Sequence, residues 1–387
     1  MNNILFEKLV KDIKSCSCHN KKDYYVHEPI GMQNCKKDVI DCIQSTYVST
    51  SGKYLDKFKN EIKKLTKSNY VVLTNTGTSA LFMSLKMIDI KNTEILIPSM
   101  TFVTTTNVVK YLDGIPHFID CEKKYPTIDL MKLKNYLSDH CYMKSKKCIN
   151  KKTNKHIKGL IAVHAFGYPV DIPNLKKLCS KYNIEIIEDG AGALGSYINN
   201  KHIGTFNNFG ILSFNGNKIV TTGMGGAILI KYKKDYLKIN HLINVAKKPH
   251  DWKLEHNDIG YNFKMSNINA SLGYRQLKNI KKTLKRKRNL HNTYLKKFIK
   301  YKFLDIMVKN NGSDPNYWLN NLIINKRDIN IQTLIKKLHK NRIYVRELWK
   351  PQHLLPMFKN YPKMNLSNSI NLWKTTISLP SSYIEKN

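Results

Sequence analysis

The chain has 387 residues, of which 42% are hydrophobic; that exceeds what one core usually serves, so a large domain with a smaller companion is expected. It contains no uninterrupted apolar run of the ~18 or more residues that a membrane helix needs, and its first residues lack the long apolar core of a secretory signal, which points to a soluble, cytoplasmic protein. The net charge of +37 invites a nucleic-acid reading through phosphate neutralisation, but Lys and Arg total 65 with only six arginines, and the 59 lysines are spread along the whole chain. Arginine is the better base reader, so weak polyanion affinity at low salt is the expected by-product and no specific nucleic-acid partner is expected.

Residues 32–68 carry apolar positions at helical spacing (Val39, Ile40, Ile43, then Leu55, Phe58, Ile62, Leu65), broken by the Ser/Thr/Gly turn Tyr47-Val-Ser-Thr-Ser-Gly-Lys53. The short buried-strand pattern Tyr70-Val-Val-Leu73 runs through Thr74-Asn-Thr-Gly-Thr-Ser79 into a helix from Ala80 to Met87. Strand, small polar turn and helix together make an anion-binding arrangement. Glu94–Pro98 is a second strand, Thr101–Leu112 a helix and Ile115–Asp120 a third strand. The basic stretch from Ser138 to Lys158 reads as a solvated loop. Gly159–Val163 and Ile184–Asp189 are further strands around a helix that begins near Asp171-Ile-Pro173. This alternation implies an α/β layer with a largely parallel sheet.

After residue 250 the pattern changes to Lys-rich helices over Ile268–Phe298 and Ile331–Asn341, which places a large domain at 1–250 and a smaller α/β domain at 251–387. The aromatic pieces Asn316–Ile324 and Val345–Pro351 read as core. The eight cysteines have no even framework and suit reduced thiols. Cys16-Ser-Cys18-His19 is half of a zinc pattern with no second half at a recognisable spacing, so no metal is expected.

Chemistry concentrates in two stretches. Lys218 lies on a short polar turn between the apolar runs of Ile211–Leu229, beside a glycine cluster. Such a turn can fix an amine at a sheet edge, desolvated and ready to lose its proton, while the glycines admit a bulky ligand. Position alone does not separate Lys218 from the many surface lysines. Ile184-Glu-Ile-Ile-Glu-Asp-Gly-Ala-Gly-Ala-Leu-Gly-Ser196 ends a buried strand on an acid, where α/β folds place ligand contacts; a carboxylate there could keep a pyridine nitrogen protonated, or could simply cap a helix. Four features then fall in one order: Gly77-Thr78-Ser79 at a helix start, Phe102, Asp189, and Ser213 five residues before Lys218. They supply the four needs of pyridoxal phosphate, namely phosphate cradle, ring cover, pyridinium partner and Schiff-base amine.

From about His27 to Ser382 the chain resembles the sugar aminotransferases of the DegT/DnrJ/EryC1/StrS group, which use fold type I of the pyridoxal-phosphate enzymes. Within the group it is similar to the LegC-type branch, which aminates C4 of UDP-linked 2-acetamido-4-keto-6-deoxy sugars. The residues that carry this are Tyr47–Tyr54, His164-Ala-Phe-Gly-Tyr-Pro-Val-Asp-Ile172, Ser213-Phe-Asn-Gly-Asn-Lys218, Asn316-Tyr-Trp-Leu-Asn320 and Leu355-Pro-Met-Phe-Lys359.

The resemblance implies that Lys218 and Asp189 are catalytic, that Gly77, Thr78, Ser213 and Phe102 hold the cofactor, and that Asn262 reaches the phosphate in a neighbouring subunit's site, giving a homodimer. It further implies L-glutamate as donor, pyridoxamine phosphate between the half-reactions and a nucleotide-sugar acceptor destined for a polysaccharide or glycan. Lys53, Arg346 and His353 are candidate cations for the nucleotide's diphosphate. Two departures stand out: Gly192, where the family usually carries Gln, His or Glu, and Met224, where Glu or Gly is usual. A GDP-perosamine- or viosamine-type 4-aminotransferase is the alternative. A 3-dehydratase of the same fold would carry His in place of Lys218, and a non-catalytic regulatory or nucleic-acid-binding protein would not need Lys218, Asp189 and Ser213 together.

Overall fold

The computed structural model describes residues 3–17, 22–29, 31–308, 312–326 and 329–382. Three helices come first, α1 (Asn3–Ser17), α2 (Lys36–Gln44) and α3 (Lys53–Thr66). The main layer then alternates β1 (Tyr70–Thr74), α4 (Gly77–Met87), β2 (Glu94–Pro98), α5 (Val103–Tyr111), β3 (Ile115–Ile119), α6 (Leu130–His140), β4 (His156–Val163), α7 (Ile172–Lys181), β5 (Glu185–Asp189), β6 (Phe209–Ser213), β7 (Gly226–Ile230) and α8 (Lys233–Leu242). These strands form one sheet in the order β1-β7-β6-β5-β4-β2-β3. Every neighbouring pair from β6 to β3 is parallel, and β7 runs antiparallel to both β6 and β1. The buried strands are runs of Val, Ile and Leu because helices cover both faces.

Helix starts are set by local capping. Thr76 accepts a hydrogen bond from the Ser79 amide at the head of α4, Asp129 does so from Lys132 at α6, and Asp171 from Asn174 at α7, where Pro173 fits the first turn. One sequence expectation fails: within 138–158 the chain forms a hairpin, Cys141–Lys144 against Lys147–Asn150, attached to the edge of β4. Cys141, Cys148 and Asn150 turn inward while lysines alternate outward, so the basic composition concealed a half-buried strand pair.

The principal elements that follow are α9 (Asn267–Lys278), α10 (Ile280–Phe298), β8 (Leu304–Ile306), β9 (Asn320–Ile324), α11 (Ile331–Lys340), β10 (Arg346–Glu347), α12 (Ser367–Thr375) and β11 (Thr376–Leu379). The last strands make a smaller antiparallel sheet ordered β8-β9-β11-β10. Its apolar cluster joins Leu290, Tyr294 and Phe298 of α10 to Leu9 and Ile13 of α1. Conversely, Ala270 and Leu277 of α9 cluster with Phe58 and Ile62 of α3 and with Leu212 of the main sheet. Side-chain packing thus interleaves across residue 250: α1 belongs with the small sheet's core and α9 with the large one.

Among the described residues no helix is long and apolar enough to cross a membrane, and no cluster of His, Cys, Asp and Glu could hold a metal. Of the half zinc pattern, Cys18 and His19 lie outside the described residues.

Candidate active site

The C-terminal ends of β1, β5 and β6 open onto one cavity of ≈ 400 Å³. At the head of α4, Thr76 spends its hydroxyl on Ser79, and Ser79 donates to Asn75 Oδ1 at 2.7 Å. The amides of the helix's first residues have no carbonyl within the helix to bond, and Gly77 and Thr78 line the cavity. Gly77 is demanded by close packing: a Cβ there would stand 2.9 Å from Ser213 Cβ at the end of β6. The missing side chain lets the Ser213 hydroxyl sit against the helix head, where an anion would meet both.

Asp189 ends β5 with 7% of its surface exposed. No helix follows it, so it is not a helix cap. Its Oδ1 accepts from the Ala191 amide at 3.1 Å and its Oδ2 from Thr105 Oγ1 at 3.0 Å. Thr105 in turn accepts from Thr101 Oγ1 at 3.0 Å. The carboxylate is therefore oriented by α5 and by its own turn while lining the cavity.

Lys218 lies on the connection between β6 and β7, held by Phe214 N–H to Gly225 O at 2.9 Å, Thr222 N–H to Phe214 O at 2.8 Å and its own N–H to Asn215 O at 3.0 Å. Burial disfavours its charged form and pulls its pKa down to about 8, opposed by the charge of Asp189. Its Nζ stands 3.8 Å above the centre of a Trp318 ring.

Seven of the expected residues line this single cavity: Gly77, Thr78, Phe102, Asp189, Ser213, Lys218 and Arg346. Three do not. Lys53, at the head of α3, is paired with Asp41 at 2.8 Å in an exposed position. His353 is buried with Nδ1 2.6 Å from Ser99 Oγ and carries no cation at neutral pH, since burial pulls its pKa down to about 4. Asn262 is exposed, and its backbone carbonyl accepts from Asn75 Nδ2 at 3.4 Å.

The cavity also takes residues that the sequence did not single out. Trp349 stacks on Phe166 at 4.0 Å and tilts toward Phe102 at 6.1 Å, making an aromatic wall beside Arg346. Phe166 holds φ at 55°, a left-handed conformation sparsely populated by non-glycine residues. Trp318, read from the sequence as core, reaches the cavity through its indole. The one sequence signal for it was indirect: Gly192 leaves room, and a Cβ at 192 would stand 2.6 Å from the Trp318 ring. Met224 also lines the cavity, and the neighbouring Gly223 holds φ at 76°.

The donor set fits a flat, phosphorylated pyridine aldehyde: a helix head and a hydroxyl for the phosphate, a buried acid for the ring nitrogen and an amine of depressed pKa. The molecule is a fold-type I enzyme dependent on pyridoxal phosphate. A profile of the DegT/DnrJ/EryC1/StrS aminotransferase family matches residues 29–384, and the chain belongs to that family. It is a sugar aminotransferase.

It is 30% identical over 364 residues to GDP-perosamine synthase of Vibrio cholerae, covering 92% of this chain and 93% of the relative. It is 27% identical over 355 residues to UDP-4-amino-4,6-dideoxy-N-acetyl-beta-L-altrosamine transaminase of Campylobacter jejuni, covering 90% of each. Among solved structures, Helicobacter pylori PseC, an aminotransferase involved in the biosynthesis of pseudoaminic acid, superposes with a TM-score of 0.82 at 22% identity, covering 93% of this chain and 94% of that one.

Proposed function

We propose that the protein transfers the amino group of L-glutamate to C4 of a nucleotide-linked 4-keto-6-deoxy sugar, UDP-2-acetamido-2,6-dideoxy-4-hexulose, for polysaccharide or glycan biosynthesis. The observation that carries this is the meeting of Lys218, Asp189 and the head of α4 in one cavity. Bound pyridoxal phosphate supplies an electron sink that lets a neighbouring C–H bond ionise.

Gly77, Thr78 and Ser213 bind the phosphate through amides and hydroxyls, as helix heads do. Asp189 would hold a proton on the ring nitrogen, and Phe102, at the cavity wall, would cover the ring. Lys218 would hold the cofactor between turnovers and, as a free amine beside it, would move the proton released from the glutamate Cα. Tethering helps here because oriented groups reach effective molarities of about 10⁵ M or more. With the sugar bound, Lys218 would deliver a proton to the sugar's C4. Arg346, at the cavity wall, meets the anionic part of the substrate. Asn262, exposed in its own chain, contacts the phosphate in the partner's site of a homodimer.

A GDP-linked 2-hydroxy sugar is the second reading, favoured by the identity to GDP-perosamine synthase. Single-turnover amination of a panel of UDP-, GDP- and dTDP-linked 4-keto-6-deoxy sugars, read by mass, tests both. The proposal predicts that the UDP-linked 2-acetamido sugar reacts fastest. A faster GDP-linked 2-hydroxy sugar overturns that choice, and no amination of any ketone overturns the reaction.

A further inference from the structure

Trp318 is tied into the site at three points. Its Nε1–H donates to the carbonyl of Asn217, the residue before Lys218, at 2.8 Å. Its backbone N–H donates to Asn316 Oδ1 at 2.8 Å, and Asn316 Nδ2 donates to the carbonyls of Gly192 at 3.0 Å and Leu194 at 2.9 Å. Its own carbonyl accepts from the buried Lys287 at 2.8 Å. The indole therefore sets the Cε3–Cζ3 edge of its ring against the Gly192 turn, in the space a side chain at 192 would fill, and presents a face to Lys218 Nζ at 3.8 Å. The negative face of an indole attracts a cation more strongly than any other ring, and more so where water is excluded.

We propose that Trp318 is the positioning residue for the Lys218 amine: its indole, admitted by Gly192, cradles the ammonium whenever Lys218 is free and holds it at the cavity wall it must act from. Asp189 is the charge that favours the ammonium, and His27 lies close enough to Lys218 to feel its charge. As a role in turnover the inference rests on Lys218 being the reacting amine. The contact itself exists without any cofactor and can be measured so.

The test is competitive acetylation of the cofactor-free, full-length protein with acetic anhydride between pH 6 and 10, with the Lys218 peptide quantified by mass. In the unmodified protein the rate inflects at about 8. Trp318→Leu removes the ring, destabilises the ammonium and speeds Lys218 acetylation at pH 7 about threefold or more, with Trp318→Phe intermediate because benzene is the weaker partner. Surface lysines keep their rates.

Gly192→Ala, which pushes the indole aside without altering it, shifts Lys218 in the same direction, and its effect vanishes in a Trp318→Leu background. A Lys218 rate in Trp318→Leu equal to or slower than that of the unmodified protein, or additive effects of the two positions, overturns the inference. If Trp318→Leu does not fold, Trp318→Phe and Gly192→Ala decide it by the same signs. None of these readouts needs turnover, so failure here leaves the aminotransferase reading standing, and loss of that reading leaves the contact standing.

Discussion

Lys218 is half-buried and Lys287 fully buried, and burial pulls the pKa of each below the ordinary lysine value. Their partners differ. Lys287, 1% exposed on α10, donates to the carbonyls of Trp318 at 2.8 Å and Ser381 at 2.6 Å and so ties α10 to two separate stretches of the chain. Lys218 is held by its backbone, while its amine faces an aromatic ring and a cavity shared with a carboxylate. The amine proposed to react thus differs from the structural one less in desolvation than in facing a cavity instead of carbonyl acceptors.

The largest expected effect breaks the comparison on the reactive side. Lys218→Ala should lose turnover by at least about a thousandfold, the order seen when a group acting as a unit with its site is removed, together with the visible absorbance of the loaded protein. A full absorbance band in that variant would defeat the assignment. Asp189→Asn should keep part of the cofactor but lower kcat about a hundredfold or more, as loss of a charge aimed at the reacting system does; steady-state rates with glutamate at saturation check this.

Lys287→Met should sharpen the contrast. Two buried carbonyls lose their donor, so urea unfolding should show a loss of about 1–3 kcal/mol, while cofactor attachment at Lys218 persists. The smallest effect is expected at Lys53→Ala. Its partner Asp41 is an exposed surface ion pair outside the cavity, so KM for the nucleotide sugar should change less than about twofold, and a tenfold rise in KM would return Lys53 to the substrate site.

Much of this was legible in the sequence where the signal is local. The strand-turn-helix of residues 70–87, the strand ending at Asp189 and the β6–β7 hairpin around Lys218 follow from short apolar runs, small turn residues and a capping threonine, none of which needs distant partners. Contacts made across the fold were hidden. Trp318 looked like core because nothing near it in the chain reveals that its indole meets Gly192 and Lys218. Thr105 was one threonine among several until α5 packed it on Asp189. Lys53 and His353 had the right charge type but are claimed by Asp41 and by Ser99, and the hairpin at 141–150 was obscured by lysines on its outer face.

Which amine carries the cofactor is the central point. Reduction of the loaded protein with borohydride, followed by digestion and peptide mass analysis, reads this directly. A single pyridoxyl adduct on the Lys218 peptide, absent from Lys218→Ala, is the predicted result; an adduct on Lys287 or on any other lysine, with Lys218 unmodified, would contradict it.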